Sequence, residues 1–350
     1  HLYKPKKWGV QVWQRLMQRS GGDLSVPPFG WASSELKKLR KLLKKSYLER
    51  VAKIVLSMLD SVFKGTPLPP KPHALFLEFI SEGVTSPPIW AVLRDNIVPL
   101  FYHVILPPIW FDAADARQWQ DDPVEYIHRK YAGDGDAVWS PREAATVLLC
   151  DLCREKSRVL STVMAMCSAS LQSYANADAD QKQHGVKEGV LFALGSLCSV
   201  VAGRTKQVSK AIELLLTHAL PDLSRPVPNL RAAALWALSV YRRQLASYSQ
   251  ETYGDILLKT AGCLFDVELP VRYAACSALR AMLERAPPES ASRLTEDTLR
   301  GAVQQILGLI ESVGNDETIS TLDVVLTKYP QSGVPFASTV AVRLCRTFED

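Results

Sequence analysis

The chain has 350 residues, 47% apolar and 22% charged, with a net charge of +5. That balance excludes a disordered polymer and fits a folded chain long enough for two average domains or one continuous repeat array. The charge is uneven, with 16 Lys+Arg against 7 Asp+Glu in residues 1–110 and 25 against 29 in the rest; this suits charged protein partners and is too weak a bias to indicate nucleic-acid binding.

Lys4, Lys6 and Lys7 open the chain ahead of an amphipathic stretch, so no secretory signal is expected. Residues 34–63 read as one long helix, with apolar positions Leu36, Leu39, Leu43, Leu48, Val51, Val55, Leu59 and Val62. The same segment carries Lys37, Lys38, Arg40, Lys41, Lys44, Lys45, Arg50 and Lys53. Such a face is either solvated or a contact for an acidic partner. Pro67, Pro69, Pro70 and Pro72 end it, and residues 72–82 and 88–106 read as further helices. The apolar run Ile97–Phe111 contains Pro99, Pro107 and Pro108 and is too short to span a bilayer.

Residues 107–140 form the one long connection. It carries Trp110, Phe111, Trp119, Asp121, Asp122, Glu125, Tyr126, Ile127, Arg129 and Lys130, then Gly133-Asp134-Gly135-Asp136. Loops this long inside a compact fold are usually functional. Asp122 before Pro123 is placed to cap one short helix. The aromatic residues predict that Tyr126 and Ile127 dock on the adjoining repeats. Two roles stay open: a plug over a groove, or a partner contact through Asp121, Asp122, Glu125, Tyr126 and Arg129.

From Pro141 onward one pattern recurs: an apolar or small residue at i, i+3, i+4, i+7, i+8 and i+11, starting at Pro141, Val186, Leu230, Val271 and, more weakly, Thr318. These offsets fall on one helical face. Preceding amphipathic segments at 157–174, 207–219, 252–265 and 295–313, with another starting near 335, complete helix pairs. The starts are 45, 44, 41 and 47 residues apart, the length of a two-helix HEAT or armadillo unit. Ala or Gly at i+3 and i+4 lets a neighbouring backbone approach. The expected fold is therefore all-α, a solenoid of HEAT repeats. It divides into divergent amino-terminal helices (1–86), a helix pair with the inserted loop 107–140 (87–154), and regular repeats (155–350). Pro141 and Pro270 suit first helical turns, and Asp222, Asp266 and Asp316 are placed to cap helix starts. Asp266, Arg272 and Arg231 stand where neighbouring repeats can ladder, or the arginines are simply solvated.

Chemistry-bearing motifs are missing. The sequence has no Walker A loop, G-x-S-x-G elbow, dinucleotide fingerprint or H-E-x-x-H pair. Cys150-x-x-Cys153 has no second ligand pair nearby, and the seven scattered cysteines read as reduced thiols of a cytosolic or nuclear protein. Asp134-Gly135-Asp136 lacks the rest of a calcium loop. His128 and His184 read as surface residues and His218 as a helix-end cation. No enzyme activity, cofactor, metal or membrane contact is expected.

The run Trp119-Gln120-Asp121-Asp122-Pro123-Val124-Glu125-Tyr126-Ile127 resembles the W-x-x-D-P-x-E-Y-I segment of importin-β-family receptors of the importin-seven and importin-eight branch. Ser140-Pro141 with Ala144-Ala145 and Leu148-Leu149, then Gly195-Ser196-Leu197, Arg231-Ala232 with Trp236, Asp266-x-Glu268-x-Pro270-Val271, and Asn315-Asp316 follow in the same order. The resemblance implies the middle part of a nuclear transport receptor that shuttles between cytoplasm and nucleus. Its implied partners are protein cargo with basic segments, Ran-GTP through the intact parent protein, and Phe-Gly nucleoporins. The related exporter of importin-α shares a D-P-x-E-Y-I-R segment but begins its next helix with an arginine cluster, where this chain has Ser140-Pro141-Arg142-Glu143. A HEAT scaffold subunit of another complex is the remaining alternative.

Overall fold

The computed structural model describes residues 7–12, 38, 42, 47–132 and 140–334. Every regular element among them is helical. In chain order they include α1 (Leu48–Phe63), α2 (Pro70–Glu82), α3 (Pro87–Leu93) and a helical run over 97–109 that widens to π geometry at Leu100–Ile105. Two short helices follow, α4 (Ala113–Asp121) and α5 (Pro123–Ile127). Then come α6 (Pro141–Glu155), α7 (Ser157–Asn176), α8 (His184–Ser196), α9 (Thr205–Leu214), α10 (Pro228–Val240), α11 (Gln250–Gly262), α12 (Leu269–Leu283), α13 (Glu296–Val313) and α14 (Asp316–Lys328). The expected helices 157–174, 207–219, 252–265 and 295–313 correspond to α7, α9 with its continuation Leu215–Ala219, α11 with its continuation Cys263–Phe265, and α13. The helix expected near 335 and the Asp134-Gly135-Asp136 turn lie outside the described residues.

The helices form two compact units, one of His1–Ile109 and Asp136–Met166, the other of Trp110–Gly135 and Cys167–Asp350. In the first, α2 packs on α6. Phe76, Phe79 and Ile80 from α2 and Ala144, Ala145, Leu148 and Leu149 from α6 are all buried. Each fully buried large side chain contributes about 1.5–3 kcal/mol. Ser81 donates to Asp151 at 2.6 Å. Cys153 is buried and Cys150 half-buried. The stretch Ile97–Asp121 reaches the length and hydropathy of a membrane-crossing helix, more than the sequence reading allowed. Leu100, Phe101, Val104, Ile105, Leu106 and Ile109 along it are buried, a third of its apolar window is covered by the protein, and the backbone leaves the helix at Trp110–Asp112.

In the second unit α8, α10, α12 and α14 stack, each against the next. The periodic positions are the reason. In α12 all six, from Val271 to Met282, are buried, and Ala275 is fully so. Tyrosines at the helix ends tie neighbours together through their hydroxyls. Tyr241 donates to the Leu194 carbonyl at 3.0 Å and Tyr253 to the Met282 carbonyl at 2.7 Å, so a large apolar ring is buried without stranding its polar tip.

Helix ends follow the sequence in part. Pro141 and Pro270 do sit in first turns, and α13 stops at Gly314, whose φ of +63° needs a residue without a Cβ. The three expected aspartate caps are corrected. Asn315, not Asp316, caps α14 by accepting from the Glu317 amide. Asp222 lies in the 3₁₀ turn Leu220–Ser224 and pairs with cations instead. Asp266 accepts from the Glu268 amide, two residues on, and from an arginine.

Candidate interaction surface

The long connection is a folded insert of the second unit. Asp112 opens α4 with a reciprocal capping box, accepting from the Ala114 and Asp115 amides while the Asp115 carboxylate reaches back to the Asp112 amide. Asp122 caps α5 through the Glu125 amide at 2.9 Å, as its place before Pro123 predicts. The two helices fold over a three-ring cluster in which Phe111–Trp119, Phe111–Tyr126 and Trp119–Tyr126 have centroids 5.8, 6.2 and 5.0 Å apart.

Glycines decide where the insert lies. A Cβ on Gly185 would collide with the Phe111 carbonyl, and one on Gly189 would stand 2.7 Å from the Cβ of Trp110. The small-residue position at 189, expected to admit a neighbouring repeat, thus admits the backbone of the insert. Farther along, the Trp119 indole N–H donates to Glu268 at 2.9 Å, and α5 packs on α12 and α13. Tyr126 and Ile127 are fully buried. Docking is therefore as the aromatics predicted, but it reaches the stacked helices α8 and α12 and the outer helix α13, not the adjoining repeat alone.

One buried ion pair closes the insert. Lys130 Nζ donates to Glu188 at 2.8 Å and to the Tyr126 hydroxyl at 2.7 Å, with the two charged side chains 12% and 2% exposed. The ammonium also lies 5.3 Å from the Tyr126 ring centroid and 5.6 Å from that of Phe111, where cation–π attraction adds to the pair. Beside it opens a pocket lined by Lys130, Tyr131, Glu188, Phe192, Ala232, Ala233 and Trp236. Trp236 stacks on Phe192 at 4.6 Å and its ring rests over Gly195, where a Cβ would clash. No motif in the sequence singles out Glu188 or Phe192. Their only signal is the glycine-rich face of α8 on which the insert rests.

The expected contact residues separate into groups. Asp121, Asp122 and Glu125 are exposed. Arg129 is exposed and bonded to Asp115 at 2.7 Å. Tyr126 is interior, which removes it as a surface contact and makes it an anchor. Lys38 is exposed, while Lys37, Lys41, Lys44 and Lys45 lie outside the described residues.

The ladder between repeats is present in altered form. Arg231 donates two hydrogen bonds to Asp266, at 2.7 and 2.9 Å, the strong bidentate geometry of a guanidinium. Arg272 makes no ion pair among the described residues. The next rung is Arg280 to Glu317 at 2.7 Å, two helical turns farther along. The rung before Arg231 is Lys187–Asp222 at 2.6 Å, with both side chains essentially sealed from solvent. Lys187 occupies the same pattern position as Arg231, one residue after the start of a stripe. Burial pushes the Lys187 ammonium down and the Asp222 carboxyl up, and each is partly offset by the other. His218, expected as a helix-end cation, is buried, and desolvation lowers its pKa. His184 is half-buried, bonded to the Tyr174 hydroxyl at 2.7 Å, and likewise lowered by burial.

Stacked helix pairs joined by an ion-pair ladder define an α-solenoid of HEAT repeats. The chain belongs to the Cse1 family of importin-β-type receptors, whose family model matches residues 78–277. It is 24% identical to an importin β-like SAD2 homolog of Arabidopsis thaliana and 23% identical to importin-8 of Homo sapiens, each over 99% of this chain. It spans about a third of those relatives, 33% and 32% of their lengths. Exportin-2 of Homo sapiens is 28% identical over 43% of this chain and 16% of its own length. Among solved structures, the exportin Cse1 in its cargo-free, cytoplasmic state superposes with a TM-score of 0.60 at 15% identity, over 93% of this chain and 37% of that one. That likeness bears on the fold.

Proposed function

We propose that this chain is the middle segment of a nuclear transport receptor that carries protein cargo with basic segments between cytoplasm and nucleus. The observation that carries this reading is the match of importin relatives over 99% of the chain, on a fold whose insert keeps its anchors buried and turns Asp121, Asp122 and Glu125 outward. In this reading residues 1–86, 87–154 and 155–350 are successive parts of the receptor, and the basic residues around Lys38 are a second contact. The intact parent protein binds Ran-GTP and Phe-Gly nucleoporins.

Export is the second reading, favoured by the exportin-2 match. The longer importin alignment weighs against it. Titrating the full-length parent, loaded with a basic cargo, with Ran-GTP separates the two: an importer releases cargo, an exporter takes it up jointly with Ran-GTP. A parent that binds neither Ran-GTP nor cargo refutes both and leaves a scaffold role.

A further inference from the structure

The insert's own lysine shows what the pocket beside it recognises. Glu188 is 2% exposed, and an unpaired carboxylate buried so deeply is costly. Lys130 supplies its charge partner. Around that ammonium stand the faces of Tyr126 and Phe111. Against the same pair opens the pocket, lined also by the Phe192–Trp236 stack, Tyr131, Ala232 and Ala233. Tyr131 is itself backed by Tyr273, 5.5 Å away. Aromatic walls converging on a buried carboxylate favour one kind of guest, a cationic side chain with an apolar stem, because the stem covers the rings while the head pairs with the acid.

We propose that this pocket is a subsite for a lysine side chain of a basic protein segment, and that Lys130 is its resident occupant. An incoming lysine enters along Trp236 and takes the Glu188 carboxylate, and the Lys130 side chain swings out. Asp121, Asp122 and Glu125, exposed on the same insert, supply the long-range attraction that draws a basic segment in. The geometry makes binding a competition. The guest gains only the difference between its own contacts and those of Lys130, so removing the resident strengthens the guest. This subsite rests on the cargo reading above and sharpens it.

The test uses the full chain and a fluorescent deca-lysine peptide, with deca-glutamate as control, followed by anisotropy. Lys130→Met should tighten deca-lysine binding at least fivefold, and Trp236→Ala should weaken it about tenfold. Neither change should affect Ran-GTP binding by the intact parent. Because Lys130→Met removes the positive charge paired with Glu188, the double variant Lys130→Met with Glu188→Gln serves as the folded, charge-balanced check and should lose the tightened binding. Wild-type binding that none of these variants alters overturns the subsite and leaves the cargo reading intact. A Lys130→Met variant that folds and binds more weakly also overturns it, making Lys130 a structural clamp. If the wild type fails to bind deca-lysine at all while the parent still binds Ran-GTP, both the subsite and the basic-cargo reading fall.

Discussion

The regular repeats and the insert are built from the same residue types by different logic. In the repeats, each helix packs on its partner and on the helix about 40–47 residues away, so the code is periodic: small residues where backbones meet, leucine and valine where they interdigitate. In the insert, helices of nine and five residues are too short to be stable alone. Their order comes from caps, a ring cluster and contacts of long sequence separation, such as Trp119 to Glu268, 149 residues apart. Repeats are therefore stabilised by many interchangeable contacts, and the insert by a few that are not. Damage to a repeat should lower stability locally, whereas damage to an anchor should release the whole insert.

The largest effect is expected at a buried rung. Lys187→Met leaves Asp222 sealed with only the half-exposed Arg225 for a partner, and breaking such a pair costs about 3–5 kcal/mol. Chemical denaturation of this variant should show a lower midpoint and, because the repeats couple mainly to neighbours, a broader transition. An unchanged midpoint would mean that the ladder contributes nothing.

Acid comes next. Burial lowers His73 in α2 to about 4, and burial also lowers His184 and His218. A histidine whose folded pKa lies below its unfolded value near 6.5 contributes stability that is complete above 6.5 and is lost as pH falls towards the folded value. For His73 the loss is about 2–3 kcal/mol by pH 4. Thermal melts should stay level from pH 7.5 to about 6.5 and fall from there to pH 4.5, and His73→Leu should flatten the part of that fall belonging to the first unit.

Overpacking sharpens the comparison directly. Ala275→Leu forces bulk between stacked helices, and Gly189→Ala places a methyl group on Trp110; each should cost about 1–3 kcal/mol. Hydrogen exchange tells them apart. Ala275→Leu should raise exchange in α10, α12 and α14, Gly189→Ala in residues 110–132. A Gly189→Ala variant with unaltered exchange in the insert would refute the role given to that glycine.

The smallest effects concern the exposed carboxylates. Asp122→Ala removes a cap worth about 1 kcal/mol and should open α5 to proteolysis. Glu125→Ser should leave folding unchanged, and weaken the binding of basic peptides only at low salt, since exposed charges are screened over about 8–10 Å.

The sequence by itself determined the all-helical repeat. Its period, the places of the paired helices and the burial of Ala275 and Leu279 are set by residues a few positions apart on one helical face, and such local rules can be read along the chain. Asp122 as a cap was legible for the same reason. Tertiary structure alone decided that Tyr126 is an anchor and not a contact, that Lys130 finds Glu188, that Lys187 and Asp222 form a rung while Arg272 forms none among the described residues, and that His218 is buried. Each of those outcomes depends on which distant backbone passes within a few ångströms. An ion pair is chosen by position in space and by the cost of leaving a charge unpaired, and neither is written in the neighbouring residues.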